Sequence, residues 1–301
     1  YFRDERPDAV LLVDFPGFNW AIAKRAKAAG IPVFYFLPPQ LWAWAPWRIK
    51  KVRKYVDHLL CGLSFEPEWY AQRGIEVDFV GHPFFDEVAA RQLDEEFCRE
   101  QQRSAEKIVG ILPGSRNHEV KANFSDQLQL IDGWSRRHPE AKFLVASYKE
   151  SQRAYCEALV QKWERPLPIE FHVGKTSEII EISDCCAMVS GSVSLELLAR
   201  TKPAIVIYKG GFGVWLIGKT IMTIDYISLP NLFAKRAVFP EFYHLWDLGK
   251  DMRGMHETVD RWLSDPAALQ AKTDELEALK RETVSYGAIA KTATAILEKL
   301  T

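Results

Sequence analysis

Residues 108–116 read IVGILPGSR, in which the apolar run Ile108–Leu112 leads directly into a Pro-Gly-Ser-Arg turn. Continuous apolar runs suit strands that are buried on both faces, as they are in a parallel sheet. A helical pattern follows over Phe124–Arg137. This stretch therefore predicts a strand, a turn and a helix in succession, which is the repeating unit of an α/β fold.

The same alternation of short apolar runs and amphipathic segments extends to both sides of this unit. One segment, Asp86–Glu106, is polar and charged and contains no core run, so it marks a boundary. We predict two Rossmann-like parallel-sheet domains, residues 1–103 and 104–285, followed by a C-terminal helix at 286–301. The other apolar runs include Ala9–Val13, Ile31–Leu37, Ala187–Val189 and Ala204–Tyr208.

Composition limits the classes of function. With 301 residues, 48% hydrophobic and 26% charged, the chain has the size of about two soluble globular domains. The 39 Lys and Arg against 40 Asp and Glu leave a net charge of −1, so we expect no nucleic-acid partner. Five cysteines without a C-x-x-C pair favour a reduced, cytoplasmic chain. The uncharged stretch Gly30–Trp47 approaches transmembrane length, but its four prolines exclude a spanning helix.

Two turns that follow predicted strands are candidate anion sites. The turn Gly114–Arg116 exposes backbone N–H groups at a helix N-terminus, and its arginine adds a bidentate donor for phosphate. In Ser190–Glu196, the glycine lets a ligand approach and the glutamate can accept hydrogen bonds from sugar hydroxyls. The structural alternatives are an ordinary turn and a helix cap with an acidic first turn. Two such turns in one α/β unit favour a ligand. The candidate contacts are Gly114, Ser115, Arg116, Gly191, Ser192, Ser194 and Glu196.

The segment from Pro39 to Lys54 combines tryptophans with cations. Between residues 42 and 55 there are five cations, no acid and three tryptophans. Aromatic rings beside cations favour an interfacial membrane surface or a phosphorylated apolar ligand. The structural alternative is a solvated helix face with the tryptophans in the core. The candidate membrane or acyl-chain residues are Trp42, Trp44, Trp47, Arg48, Lys50 and Lys51.

Three further signals concern catalysis and cofactors. Asp14 ends the first apolar run, where it is either a general base for a hydroxyl nucleophile or a cap for the next helix. Gly213–Thr220 matches the P-loop pattern, but its bulky apolar residues do not suit a phosphate cradle. The sequence has no D-x-D pair and no paired histidines at metal-ligand spacing, so we expect no metal. His82, between Gly81 and Pro83, is interpreted as a turn histidine.

Together these segments resemble the lipid-A-disaccharide synthase family, glycosyltransferases of the GT-B type. The tryptophan motif Pro39–Trp44 and the segment Tyr226–Leu232 are the most specific matches. The chain lacks the family's opening Gly-Glu-x-Ser-Gly-Asp segment, which implies that the first domain is incomplete, and Gly17 stands where the family often has Asp. The other matches are Asp14–Asn19, Phe65–Pro67, Phe79–Pro83, Leu112–Arg116 with Glu119, Ser190–Glu196 and Pro240–Phe242.

The resemblance implies a reaction. UDP-2,3-diacylglucosamine donates its sugar, with inversion, to 2,3-diacylglucosamine 1-phosphate, and the products are the β-1,6-linked lipid A disaccharide 1-phosphate and UDP. No metal or other cofactor is implied. Residues 1–103 would form the acceptor and membrane side, residues 104–285 would bind the UDP-sugar, and the helix 286–301 would pack back toward the first domain. The enzyme would lie in the cytoplasm at the periphery of the inner membrane, and a homodimer is left open.

The resemblance also implies site roles. Asp14 would be the base. Arg116 and the two turns would stabilise the diphosphate. Glu196 would hold the ribose, and Lys209 and Asn231 are further donor-site candidates. Two alternatives stay open: another UDP-sugar enzyme of the same fold, such as an epimerase, or a non-catalytic fragment that binds nucleotide or lipid.

Overall fold

The computed structural model of the protein describes residues 1–189, 191–209, 225–244 and 249–301. Across these residues the chain forms two parallel β-sheets with helices packed on them, which confirms the predicted α/β fold. The P-loop-like stretch Gly213–Thr220 and Ser190 of the second turn lie outside the described residues. No helix in the described ranges has the length and apolar character needed to cross a membrane.

The first compact unit includes residues 1–90 and 283–301. Its four strands are parallel and lie in the order β1-β2-β3-β4. The strands are β1 (Val10–Val13), β2 (Val33–Phe36), β3 (His58–Cys61) and β4 (Asp78–Phe79). The helices are α1 (Pro16–Ala28), α2 (Leu41–Trp44), α3 (Ile49–Tyr55), α4 (Glu66–Ala71), α5 (Pro83–Ala90) and, at the end of the chain, α14 (Ala288–Leu300), with a 3₁₀ turn at Pro46–Arg48.

The strand β2 shows why this unit needs continuous apolar runs. All four of its residues are buried. Val33 and Tyr35 face one core cluster, which includes Leu12, whereas Phe34 and Phe36 belong to a separate cluster on the other face of the sheet. A central strand of a parallel sheet is covered on both faces, so every position must be apolar.

The C-terminal helix α14 is held within the first unit by a cap and by apolar contacts. The backbone N–H groups of Gly287 and Ala288, at its start, donate to the two carboxylate oxygens of Asp86, at 2.6 and 2.8 Å. Ala295 and Ile296 pack against the cluster that contains the β2 phenylalanines. The cap lies 201 positions away in sequence, so no local capping pattern reveals it.

The second compact unit includes residues 91–209 and 226–282 in their described part. Its six strands are parallel and lie in the order β10-β9-β8-β5-β6-β7. The strands are β5 (Lys107–Leu112), β6 (Ala141–Ser147), β7 (Ile169–Val173), β8 (Cys185–Met188), β9 (Ala204–Lys209) and β10 (Glu241–His244). The described helices are α6 (Glu95–Ser104), α7 (Asn117–Arg137), α8 (Glu150–Val160), α9 (Thr176–Ile182), α10 (Val193–Ala199), α11 (Leu229–Ala234), α12 (Gly249–Ser264) and α13 (Pro266–Thr283).

The order of the strands in the second sheet reverses between β5 and β8. From β5 the chain builds β6 and β7 toward one edge, and then places β8, β9 and β10 on the other side. Ile111 pairs with Ala187 and Leu112 with Met188, so β5 and β8 end side by side. Ligands of parallel α/β sheets bind beyond the carboxyl ends of the strands at such a reversal. Both turns that the sequence singled out follow these two strands.

Candidate functional site

The turn after β5 has the backbone conformation that its glycine suggested. Gly114 has a φ of +119°, and a Cβ at this position would lie 2.7 Å from the Cβ of Glu119. Only glycine avoids both the unfavourable φ and this contact. Gly114 therefore brings the chain close to the first turn of α7.

In the structure, the negatively charged group at this turn is the side-chain carboxylate of Glu119. The carboxylate of Glu119 accepts hydrogen bonds from the backbone N–H groups of Ser115 and Arg116, both at 3.0 Å. It also accepts one from Arg116 Nη1, at 2.9 Å. The carboxylate thus caps α7, which begins at Asn117 rather than near Phe124, where the apolar pattern starts. The side chain of Arg116 is 72% exposed, so its other donors remain accessible to a ligand.

The turn after β8 divides into exposed and buried residues. Gly191 and Ser192 are exposed at the start of α10, whereas Ser194 and Glu196 are buried. The hydroxyl of Ser194 donates to the carbonyl of Gly191 at 2.7 Å, and Glu196 Oε1 accepts from Arg200 Nε at 3.0 Å. The exposed pair is therefore placed to meet a ligand. Glu196 is held by an ion pair with Arg200, and its contact with a ribose stays a prediction.

The two remaining donor-site candidates have protein partners. Lys209, at the end of β9, donates to Asp126 Oδ2 on α7 at 3.0 Å. Asn231 is fully buried on α11, and its Oδ1 accepts from two backbone N–H groups, those of Val238 and Phe239. Its Nδ2 donates to the carbonyl of Phe239 and to Glu241 Oε1, both at 2.7 Å. The structure thus gives Asn231 a role in holding the 228–241 segment together, and its contact with a donor stays a prediction.

The catalytic candidate of the first unit lies at the carboxyl end of β1. Asp14 has a φ of 41°, in the left-handed region, and its carbonyl accepts hydrogen bonds from Asn19 Nδ2 at 2.6 Å and Tyr35 OH at 2.8 Å. The Asp14 side chain does not cap α1, for which Phe15 occupies the N-cap position without a side-chain hydrogen bond. The alternative reading of Asp14 as a helix cap is therefore wrong.

Asp14 borders a cavity of about 140 Å³ in the first unit. The lining comes from the carboxyl ends of three other strands as well, so residues distant in sequence meet here. Two of them, His82 and the buried Glu66, were not predicted as site residues. The lining residues are Asp14, Leu37, Pro38, Gln40, Leu63, Glu66 and His82.

Glu66 links this cavity to the tryptophan segment. It is only 2% exposed, and it accepts hydrogen bonds from Trp42 Nε1 at 3.1 Å and from the Leu63 backbone at 3.0 Å. Burial disfavours the ionised carboxylate and raises its pKa from 4.5 to about 7. Trp42 is therefore a core residue, and the prediction that it lies on a lipid-facing surface is corrected: Glu66 holds its indole inside.

We expect Glu66→Gln to flatten the dependence of stability on pH. The folded pKa is raised, so the stabilisation is fully present below pH 4.5 and is lost as pH rises through about 7. The loss in the wild-type protein amounts to about 3 kcal/mol, at about 1.4 kcal/mol per pH unit. Urea unfolding at pH 4.5 and pH 8 measures it. Glu68→Gln, on the exposed face of the same helix, is the matched control, and equal pH dependence in Glu66→Gln and the wild type would contradict the prediction.

The rest of the tryptophan segment does reach the surface. Trp47 is 58% exposed, Trp44 is also exposed, and Lys50 and Lys51 project outward on α3. The Arg48 guanidinium lies 4.6 Å from the centre of the Trp44 ring, within cation–π range. Where the sequence predicted one helix over residues 46–55, the structure has a 3₁₀ turn followed by α3.

No group of three or more His, Cys, Asp or Glu side chains in the described part of the chain is placed to hold a metal ion. The expectation of a reaction without metal or other cofactor stays a prediction. The polar groups at the reversal of the second sheet are backbone N–H groups, hydroxyls and one arginine. These are the groups that proteins use to bind phosphate oxygens.

Comparisons with known proteins agree with this architecture. The family model described as Lipid-A-disaccharide synthetase matches residues 1–247. A lipid-A-disaccharide synthase of Azoarcus sp. (strain BH72) is 33% identical over 301 residues, which cover 99% of this chain and 76% of the relative. Another, of Syntrophotalea carbinolica, is 36% identical over 239 residues, which cover 79% of this chain and 60% of that relative. These matches confirm the resemblance that the motifs suggested.

Solved structures support the fold. The UDP-GlcNAc 2-epimerase of Neisseria meningitidis, bound to UDP-GlcNAc, superposes with a TM-score of 0.62 over 99% of this chain and 78% of its own. The UDP co-structure of S. aureus MnaA gives a TM-score of 0.61 over 90% of this chain and 71% of its own. Their sequence identities, 14% and 11%, mean that they show a common fold and no more.

Proposed function

The chain belongs to the lipid-A-disaccharide synthase family, and from this premise we propose its substrates and the residues that act on them. It is a glycosyltransferase that synthesises the lipid A disaccharide. We propose that it moves the sugar of UDP-2,3-diacylglucosamine to 2,3-diacylglucosamine 1-phosphate. One observation supports the proposed donor site: β5 and β8 are neighbours and end side by side. This brings the turns Gly114–Arg116 and Gly191–Glu196 to one edge of the sheet.

The proposed step is a single displacement. The C6 hydroxyl oxygen of the acceptor forms a bond to the anomeric carbon of the donor, and the bond from that carbon to the diphosphate oxygen breaks. The hydroxyl proton passes to the carboxylate of Asp14, and the electron pair leaves with UDP. Attack from the face opposite the leaving group inverts the anomeric centre. A carboxylate that accepts the proton during attack acts as a general base.

The leaving diphosphate gains negative charge, and we propose that residues of the second unit stabilise it. Gly191 and Ser192 are exposed residues at this turn, and Arg116 adds an exposed cation with several hydrogen-bond donors. Donors placed in advance at developing charge are among the largest contributions to catalysis. Glu119 shares the N–H groups of the first turn, so the diphosphate oxygens either bind beside this carboxylate or displace it.

The reaction is tested by measuring UDP release from the acylated donor. We expect release only when the acylated acceptor is present, with formation of the disaccharide phosphate. Equal use of non-acylated UDP-N-acetylglucosamine would favour a different UDP-sugar enzyme. UDP binding without turnover would favour the non-catalytic alternative.

The exposed part of the tryptophan segment is proposed to contact the inner-membrane surface from the cytoplasm. Trp44 and Trp47 offer apolar area, and Arg48, Lys50 and Lys51 offer positive charge toward anionic headgroups. Aromatic rings beside cations on one surface suit the boundary between headgroups and acyl chains. A peripheral position of this kind would place the enzyme where both acylated substrates reside. A homodimer stays an untested prediction.

We expect Trp47→Ser to weaken binding to vesicles that contain anionic lipid by about tenfold, because the apolar area of one large side chain is lost. Cosedimentation with the vesicles measures the change. Tyr148→Ser is the matched control, since Tyr148 is an exposed aromatic residue of the second unit. Equal loss of binding in both variants would argue against a surface at Trp47.

A further inference from the structure

The cavity beside Asp14 is small and polar at its rim. Its volume of about 140 Å³ is equivalent to a few water molecules, at about 30 Å³ each. A whole acylated sugar does not fit, but a single hydroxymethyl group does. Gln40, Glu66 and His82 supply polar groups from three segments that follow three different strands.

The ring of His82 is held in one orientation. Its Nδ1 accepts a hydrogen bond from the backbone N–H of Phe84 at 3.2 Å. Burial lowers the pKa of His82 below its usual value, so the ring is neutral at pH 7. In a neutral ring whose Nδ1 accepts, the proton lies on Nε2. Within the described residues, no protein group accepts a hydrogen bond from this Nε2–H.

The backbone around His82 fixes its position. Gly81 has a φ of +89°, a conformation that favours glycine, and Pro83 begins α5. A Cβ at Gly81 would lie 3.0 Å from the carbonyl oxygen of Ser285. The chain on either side of the histidine is therefore constrained, and His82 meets the cavity from a rigid turn.

We propose that this cavity receives the C6 hydroxymethyl group of the acceptor, and that His82 Nε2–H donates a hydrogen bond to its hydroxyl oxygen while Asp14 accepts the hydroxyl proton. This inference rests on the proposed function and names the acceptor subsite within it. A hydroxyl group has one proton and two lone pairs. Asp14 engages the proton and His82 engages one lone pair, so the second lone pair alone is free. The two side chains thereby leave that lone pair available to form the bond to the anomeric carbon.

Two substitutions distinguish the Nε2–H contact with the acceptor from the hydrogen bond that Nδ1 makes with the Phe84 backbone. In His82→Asn, the Oδ1 atom can still accept from the Phe84 N–H, but no donor reaches the cavity. In His82→Gln, an amide N–H takes the position of Nε2. We expect His82→Asn to lower kcat/KM for the acceptor about tenfold, the range of one lost hydrogen bond. His82→Gln should recover most of this loss, and the affinity for UDP should not change in either variant.

Direct binding of two acceptors provides the second measurement. The wild-type protein should bind the intact acceptor more tightly than an analogue that lacks the C6 hydroxyl, and this preference should be clearly smaller in His82→Asn, which keeps only the Asp14 contact. Equal discrimination by His82→Asn and the wild type would overturn the proposal. So would an unchanged kcat/KM in His82→Asn, or a loss that His82→Gln does not recover.

The two measurements also distinguish this inference from the proposed function. If the wild-type protein releases no UDP in the presence of both substrates, the proposed function fails, and the binding comparison still decides whether His82 recognises the hydroxyl. If the wild type turns over normally and His82→Asn is indistinguishable from it, only the inference fails.

Discussion

Replacing Asp14 with Asn is expected to lower kcat by about 10²–10⁴-fold, the range that a positioned general base contributes. The amide has the shape of the carboxylate but cannot take a proton from the acceptor hydroxyl. Asparagine also tolerates the left-handed backbone that Asp14 adopts, with its φ of 41°. The hydrogen bonds from Asn19 and Tyr35 go to the Asp14 carbonyl, so the substitution leaves them in place. Steady-state UDP release measures kcat.

Two controls belong to this experiment. UDP affinity and the midpoint of thermal unfolding should match the wild type, which would show that neither the donor site nor the fold has changed. Asp8→Asn, which neutralises an exposed acidic residue before β1, should leave kcat unaltered. A kcat of Asp14→Asn within a few-fold of the wild type would mean that another group takes the proton.

Replacing Arg116 with Ala is expected to weaken UDP binding by about 10–100-fold. Hydrogen bonds to charged groups contribute about 1.5–3 kcal/mol each, and the guanidinium offers more than one to a diphosphate. The side chain is exposed beyond its contact with Glu119, so its removal leaves no buried hole. Calorimetric titration with UDP measures the affinity.

The variant Arg116→Lys tests the geometry of the contact. Lysine keeps the charge but not the planar fork, so its affinity should lie between those of Arg116→Ala and the wild type. Arg99→Ala is the matched control, because Arg99 is an exposed arginine that also pairs with a glutamate on its own helix, Glu95. Unchanged UDP affinity in Arg116→Ala would remove this residue from the donor site.

The two turns proposed to bind the donor could be predicted as strand–turn–helix elements because their signals are local. The apolar run of β5, the glycine of the following turn and Arg116 are contiguous, and strand–turn–helix chemistry depends on neighbours within a few positions. Glu119, which caps α7, is also within a few positions of this turn. The apolar pattern nevertheless placed the start of α7 near Phe124, seven residues too late.

The residues around the Asp14 cavity could be predicted only in part. Asp14 was visible as a carboxylate that ends an apolar run. His82 and Glu66 were not, because the residues around each are those of an ordinary turn or helix. They join Asp14 only because β1, β3 and β4 end at the same edge of one sheet. The sequence spacing of Asp14, Glu66 and His82 does not indicate that they line one cavity.

The tryptophan segment shows the same limit. Trp42 and Trp47 lie in one stretch of similar composition, yet one is 5% and the other 58% exposed. The indole N–H of Trp42 donates to Glu66, 24 residues further along the chain. Most buried N–H groups have an acceptor, and the sequence does not say where the acceptor of Trp42 is.

The sequence by itself determined the α/β class, the family and the two turns that follow β5 and β8, since periodicity, turn chemistry and motifs are properties of neighbouring residues. Only the tertiary structure decided that β5 lies beside β8, that Asp86 caps the final helix, and that Asp14, Glu66 and His82 surround one cavity. The physical reason is that strand order and packing are set by burying many apolar side chains together. That free energy depends on the whole chain, whereas a motif depends on a few positions.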